Sequence, residues 1–200
     1  MAAGMGSMGS YEWRFDSGRV CLDLVATSEA TSRGWERLDG SVPLGRWLIA
    51  AGLLPEGTRL AQADARWVRS FAELRAAIER LVRAEIEGRE ASAALERVNA
   101  LAAGPPPAIR AVRGADGTLV RALSAEPACE TLLAAVARDA VELLTDPAAR
   151  ARLRQCEGDN CRRVYVDTSR GRRRRWCSSE VCGNRERVAR HRRRAALTQA

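Results

Sequence analysis

The 200-residue chain contains no lysine, so all 33 of its basic side chains are arginines. Arginine without lysine is typical of a GC-rich coding sequence. The choice of arginine is therefore not in itself evidence for bidentate recognition of phosphate or carboxylate. The positive charge remains, with a formal net value of +8 at pH 7. Its meaning depends on where along the chain it lies.

Long apolar runs are also missing, and none approaches the roughly 20 apolar residues that a membrane-spanning helix needs. Residues 1–10 are Met, Ala, Gly and Ser, without the charged and apolar segments of a secretory signal. We expect this stretch to be a disordered leader or a tag remnant. We also expect a cytoplasmic, reducing environment, where paired cysteines more often bind metal than form disulfides.

Histidine is nearly absent, which argues against an enzyme. The one histidine, His191, lies inside an arginine-rich run, and no Ser/His/Asp set or glycine-rich phosphate loop stands out. We therefore expect no catalytic residues.

The charge is unevenly distributed along the chain. Residues 150–200 hold 16 arginines against 5 acids, a formal charge of +11, whereas residues 1–149 hold 17 arginines against 20 acids, or −3. A mildly acidic body followed by a strongly basic tail indicates a nucleic acid or an anionic membrane as partner.

Four of the six cysteines form two pairs in this basic tail. Four residues separate Cys156 from Cys161 and Cys177 from Cys182, and fifteen residues lie between the pairs. Two cysteine knuckles joined by such a loop favour one tetrahedral metal ion, and Zn²⁺ accepts four thiolates without a redox change. Two disulfides or four free thiols are the alternatives. Four thiolates would leave zinc no open position for a catalytic water.

The other cysteines and the tryptophans have simpler interpretations. Cys21 lies in an apolar run and is interpreted as a small buried hydrophobe rather than a reactive thiol. Cys129 is unpaired and distant from the other four in sequence, so we expect it to be structural. The tryptophans at positions 13, 35, 47 and 67 fit a core better than a ligand pocket.

Hydrophobic periodicity predicts an α+β chain: a mostly helical N-terminal domain with a small hairpin sheet, and a C-terminal zinc module. An opening strand is predicted over residues 11–27, with a turn at 16–18. Ser41 is predicted to cap a helix that stops at Gly52. The remaining predicted elements of the body are helices over 64–87, 91–101 and 127–144 and hairpin strands over 108–113 and 118–123. Residues 146–153 are predicted to form a hinge.

Within the zinc module, the alternation of residues 163–166 predicts a short strand that pairs with residues 173–177. After Cys182 the composition becomes helical. Knuckle, hairpin, knuckle and helix in that order give a treble-clef-like layout.

The tail resembles a known family. The segment Trp176-Cys177-Ser178, followed by the tetrapeptide Cys182-Gly183-Asn184-Arg185, is similar to the CGNR zinc finger, and Cys156, Cys161 and residues 164–167 fit the same pattern. The body resembles the alpha-beta stress-induced transcription regulator (ABATE) domain. The segments that carry this second resemblance are residues 21–27, 44–48, 51–54 and 71–75.

The resemblance implies a bacterial transcription regulator with an ABATE-like regulatory domain at 11–149 and a DNA-binding finger at 150–200. One structural zinc ion would be held by the four paired cysteines. The expected nucleic-acid-binding residues are Arg172, Arg173, Arg174, Arg175, Asn184, Arg185, Arg187, Arg190, Arg192, Arg193 and Arg194. Most would contact phosphate, and Asn184, Arg185 or Arg187 would reach base edges.

Structural roles compete with some of these assignments. Asn184 could cap a helix or bond a cysteine sulphur, Arg185 could pair with an acid of the body, and Trp176 is expected to pack over the metal site. RNA binding by the same surface, or a zinc-stabilised adaptor for an acidic protein partner, are the alternative functions. The body would sense a small ligand or form a homodimer.

Overall fold

The computed structural model describes residues 13–28, 38–159 and 161–198. The predicted leader, the start of the predicted opening strand and Trp35 lie outside these residues. The helices are α1 (Val20–Val25), α2 (Ser41–Ala50), α3 (Ala65–Glu87), α4 (Ser92–Ala102), α5 (Cys129–Thr145), α6 (Pro147–Arg150) and α7 (Asn184–Thr198). The strands are β1 (Ile109–Arg113), β2 (Leu119–Leu123), β3 (Leu153–Gln155) and β4 (Val164–Val166), paired as two antiparallel hairpins. The α+β class predicted from the sequence is confirmed.

The longest helix, α3, begins and ends where the sequence predicts. The Asp64 carboxylate accepts hydrogen bonds from the backbone N–H groups of Arg66 at 2.8 Å and Trp67 at 3.2 Å. These bonds satisfy two donors of the first turn. Gly88 ends the helix in the left-handed conformation, with φ of +65°, which a residue with a Cβ rarely adopts. In α2, by contrast, Gly40 holds the cap position and Ser41 is the first helical residue.

The predicted opening strand is wrong. Residues 13–16 are irregular, the chain bends around Gly18, and the apolar run continues as helix α1. Every residue from Cys21 to Val25 is buried, because α1 packs against α3, α5 and β4. A helix buried on all sides shows no polar face, so its short apolar run has the same appearance as a buried strand.

The β1–β2 hairpin follows the prediction, with Val112 opposite Val120 and the turn at residues 114–118. Helices α3, α4 and α5 pack together and form most of the body's core, against which Leu123 of the hairpin packs. Cys21, Cys129, Trp47 and Trp67 are buried in this core, as the sequence indicated.

The second hairpin joins the tail to the body. Leu153, Val164 and Val166 belong to the same apolar cluster as the body helices. The Val166 N–H also donates to the Ser17 carbonyl at 2.9 Å. The predicted partner of β4 is therefore wrong: β4 pairs with β3, which starts at the last residue of the predicted hinge, and not with residues 173–177. β3 can lie there because Leu153 provides an apolar side chain that the body core buries.

Across residues 13–28, 38–159 and 161–198, none of the helices combines the length and hydropathy required to cross a membrane.

Candidate metal centre and basic surface

The four paired cysteines converge on one point. The sulphur atoms of Cys156, Cys161, Cys177 and Cys182 all lie within 4.8 Å of one another. The Sγ atoms of Cys161 and Cys177 are 3.7 Å apart, and those of Cys177 and Cys182 are 3.6 Å apart. Three of the four residues are buried and Cys161 is half-buried.

These distances fit a metal ion and do not fit disulfides. A disulfide requires about 2.05 Å between sulphurs. Four sulphurs at about 2.3 Å from a central Zn²⁺ would lie roughly 3.8 Å apart at the corners of a tetrahedron. The sulphur separations match this geometry, and none of these four cysteines forms a disulfide. The chain therefore has one structural zinc site with four sulphur ligands.

The close sulphur contacts shift the ionisation of the cysteines in opposite directions. Hydrogen bonds from the Cys161 and Cys177 thiols lower the pKa of Cys156 far below its ordinary value, and hydrogen bonding with Cys156 and Cys161 raises the pKa of Cys177. The backbone N–H of Cys177 donates to the same sulphur at 3.3 Å. Donors that converge on one sulphur favour the thiolate, which is the form that binds zinc.

The second knuckle forms because Ser178 caps the turn that follows it. The Ser178 hydroxyl accepts hydrogen bonds from the N–H groups of Glu180 and Val181, both at 3.2 Å. A wide, π-type turn over Ser179–Gly183 then brings Cys182 to the metal, and α7 starts at the next residue. The metal centre thus fixes where α7 leaves the protein.

Trp176 covers one side of the centre, as the sequence indicated. It packs against the cluster formed by Tyr165 and the cysteines. A Cβ added at Gly183 would lie 3.6 Å from the Trp176 ring. The indole therefore rests on the glycine of the Cys-Gly-Asn-Arg tetrapeptide and is only partly exposed.

The body supports the metal centre through two arginines that no sequence motif marks. Arg14 lies 3.9 Å from the Cys177 sulphur and pairs with Asp16. From α3, Arg83 donates to the Gln155 side chain at 3.0 Å and to the Arg162 carbonyl at 2.8 Å, beside the first knuckle. No local pattern indicates such contacts, because Arg14 and Cys177 lie 163 positions apart in the sequence.

The basic loop between the knuckles is held by a buried acid. Asp167 accepts hydrogen bonds from the backbone N–H groups of Ser169 at 2.9 Å and Arg174 at 3.0 Å. Burial opposes ionisation of this carboxyl group, but the hydrogen bonds outweigh it and lower the pKa of Asp167. An Asp followed by Thr and Ser at a turn is typical of such a loop, so this role was readable from the sequence.

The four consecutive arginines of this loop, residues 172–175, differ in exposure and in their contacts. Arg172 and Arg173 are exposed. Arg174 is half-buried, with its guanidinium 4.6 Å from the centroid of the Tyr165 ring and donating to the Trp176 carbonyl at 2.9 Å. Arg175 pairs with Glu157 at 2.6 Å and lies over the Trp176 ring.

The remaining predicted nucleic-acid contacts lie on α7, whose side chains are described as far as residue 194. Only Glu186 and Ala189 are half-buried there, and all the other residues of this part of the helix are exposed. Arg187 donates to the Ser179 carbonyl at 3.4 Å, and Arg193 lies 3.9 Å from Glu186. The exposed predicted residues on α7 are Asn184, Arg185, Arg187, Arg190, Arg192, Arg193 and Arg194.

A closed four-sulphur centre between two knuckles, followed by a basic helix, defines a zinc-finger protein. Residues 152–195 match the CGNR zinc finger family, and residues 18–147 match the ABATE family, described as "Putative stress-induced transcription regulator". Because the ABATE match spans more than half of the sequence, the chain belongs to the ABATE family. It also carries a C-terminal CGNR zinc finger. Together the two families describe a regulatory zinc-binding protein, and neither is an enzyme family. No curated protein matches the sequence.

Proposed function

We propose that the chain is a DNA-binding transcription regulator whose zinc finger provides the DNA-binding surface. The observation that carries the proposal is the set of exposed arginines on two segments attached to one metal centre, the 170–173 loop and helix α7. A surface rich in guanidinium groups binds the phosphate backbone and releases counterions. In this proposal residues 150–200 bind the DNA, and residues 11–149 regulate the binding.

The test is a binding selection with the zinc-loaded full chain. Fragmented genomic DNA is mixed with the protein at near-physiological salt, and the retained fragments are sequenced. If about six arginines neutralise phosphates, the logarithm of affinity falls against the logarithm of salt concentration with a slope of roughly −5. A slope near zero would contradict phosphate binding.

Paired variants show whether the finger is responsible. Arg173→Ala removes an exposed arginine of the loop, and Arg46→Ala removes an exposed arginine of α2 in the body. We expect Arg173→Ala to weaken DNA binding and Arg46→Ala to leave it unchanged. Preferential retention of RNA would favour an RNA-binding module, and retention of neither nucleic acid would favour an adaptor for an acidic protein.

For the body, we propose homodimerisation through strand β1, which would supply two fingers for two half-sites. Within the hairpin, Ile109 is 61% exposed and Leu119 68% exposed. In an antiparallel pair of β1 strands from two copies of the chain, centred on Ala111, Ile109 of each strand would lie opposite Arg113 of the other. No arginine would then face another arginine. The same pairing of two β2 strands would place the Arg121 residues of the two copies opposite each other. Arg121 also donates a hydrogen bond to the Gly52 carbonyl at 2.5 Å.

A proline in β1 tests this arrangement. The register and the hydrogen bonds at both ends of the hairpin show which backbone groups of β1 bond to β2. Those of Ile109, Ala111 and Arg113 point away from β2. Ala111→Pro therefore removes an edge donor without breaking a β1–β2 bond. We expect it to convert a dimer to a monomer in sedimentation experiments, whereas Leu119→Pro, at an equivalent position of β2, leaves the dimer intact. A monomeric wild-type chain at micromolar concentration would contradict the proposal.

A further inference from the structure

Helix α7 divides its exposed side chains into separate strips. Asn184, Val188 and His191 are spaced i, i+4, i+7 and therefore share one face of the helix. The opposite face carries Glu186 and Ala189, the two half-buried residues. The first face thus points away from the protein, and Val188 on it is 43% exposed.

Arginine rows run along both sides of this outward strip. Arg185 and Arg192, seven residues apart, form one row. Arg187, Arg190 and Arg194, spaced i, i+3, i+7, form the other. At about 100° per residue the two rows lie on opposite flanks of the helix. Arg193 belongs to neither row, because it lies on the inward face near Glu186.

A flat anionic surface would engage only one flank of such a helix. The major groove of B-form DNA admits a helix between two phosphate-lined walls. There both arginine rows would meet phosphate at once, and the strip between them would meet the base edges. The major groove of A-form RNA is too narrow and deep for this arrangement.

From these positions we infer that α7 lies in the major groove of duplex DNA with Asn184, Val188 and His191 facing the bases and the flanking arginines on the phosphates. This inference rests on the proposed DNA-binding function and names its base-reading residues. It replaces Arg185 and Arg187 as base contacts, because both belong to the flanking rows.

The strip has the chemistry that base reading needs. An asparagine amide can form a bidentate pair with adenine, and an apolar side chain contacts the methyl group of thymine. A neutral histidine offers one donor and one acceptor. From Asn184 to His191 the helix rises roughly 10 Å, the height of about three base pairs. Each finger is therefore expected to read about three consecutive base pairs.

The experiment is a selection from a random 20-base-pair duplex library with the zinc-loaded full chain. The wild type and the variants Asn184→Ala, Val188→Ala and His191→Ala are compared. All three positions are exposed, so the variants should fold, which thermal melting checks. We expect the wild type to enrich a short motif and each variant to lose preference at one position, by roughly tenfold, with an unchanged salt slope.

Arginine variants of the same helix provide the matched comparison. Arg190→Ala should weaken binding to all sequences and reduce the salt slope by about 0.9, since one phosphate contact is lost. Arg193→Ala removes the same charge from the inward face and should leave the slope unchanged.

The possible outcomes distinguish the major-groove arrangement of α7 from the DNA-binding function on which it rests. Salt-dependent DNA binding without a motif, or a motif that all three strip variants keep, would overturn the major-groove arrangement and leave the DNA-binding function standing. Equal effects of Arg190→Ala and Arg193→Ala would also overturn it. Preference for duplex RNA, or no binding to duplex DNA, would overturn both.

Discussion

The Tyr165 hydroxyl donates to the backbone carbonyl of Arg174 at 2.6 Å, while the Arg174 guanidinium lies 4.6 Å from the centroid of the Tyr165 ring. Tyr165 is fully buried in the centre of β4. This double contact closes the basic loop against the strand. Arg174 therefore has a structural role and fixes the loop in which the neighbouring arginines are exposed.

Arg174 and Arg173 should consequently behave differently when each is replaced by alanine. Arg174→Ala removes a cation–π contact and a charged donor to backbone carbonyls, so we expect it to lower the free energy of unfolding by about 2 kcal/mol. Arg173→Ala should change stability by less than about 0.5 kcal/mol, because its side chain is exposed. Chemical denaturation of the zinc-loaded chain measures both, and equal losses would contradict the assignment.

Zinc content should depend on the cysteines and not on the histidine. Cys182→Ser removes one of four sulphur ligands, and we expect the purified variant to lose its zinc. His191→Ala should retain one zinc ion per chain, because His191 lies on the outward face of α7. Metal analysis by atomic emission decides this, and zinc loss in the histidine variant would mean that the four cysteines alone do not form the site.

Metal binding should stabilise the body as well as the finger. Val164 and Val166 are buried in the core shared with the body helices, and the first knuckle follows β3 directly. Chelation of zinc should therefore speed hydrogen exchange in α1, which packs on β4, more than in α4. Exchange rates in α1 that do not respond to the chelator would show that finger and body fold independently.

A core substitution provides a second measure of this coupling. Val166→Ala should lower the free energy of unfolding by about 2 kcal/mol and keep a single transition. Val188→Ala, at an exposed position, serves as the control for the same chemical change. Two separate transitions in the Val166 variant would contradict a shared core.

Asp23 should make stability depend on pH. It is buried in α1, where it accepts a hydrogen bond from the Ser17 N–H at 3.1 Å, and burial raises its pKa from 3.8 to about 6. Since the folded state disfavours the carboxylate, this group lowers stability as the pH rises from about 4 to 6, by roughly 3 kcal/mol in total. Asp23→Asn should remove the loss, so the variant gains stability relative to wild type over that interval.

Asp116 gives a control of opposite sign. Hydrogen bonds from Thr118 lower the pKa of Asp116, so its ionised form stabilises the hairpin turn and this contribution grows as the pH rises. Asp116→Asn should therefore lose stability relative to wild type with rising pH. Urea denaturation at several pH values measures both differences. If the difference in stability between Asp23→Asn and wild type did not change with pH, burial would not raise the pKa of Asp23.

The elements that the sequence predicted correctly are those with a local signal. α3 has an apolar stripe, a capping aspartate and a terminal glycine, and the β1–β2 hairpin has a glycine-rich turn between two short strands. The zinc ligands were predictable because two cysteine pairs at such a spacing are typical of a zinc site. α1 was mistaken for a strand because burial on every side removed its periodicity.

By itself, the sequence determined the α+β class, the four sulphur ligands and the division between an acidic body and a basic tail. Each of these depends on residue type and spacing along the chain. Only the tertiary structure decided that β3 pairs with β4 inside the body's core, that Arg14 and Arg83 support the metal centre, and which arginines stay exposed. These features depend on contacts between residues far apart in sequence, which packing creates and no local pattern records.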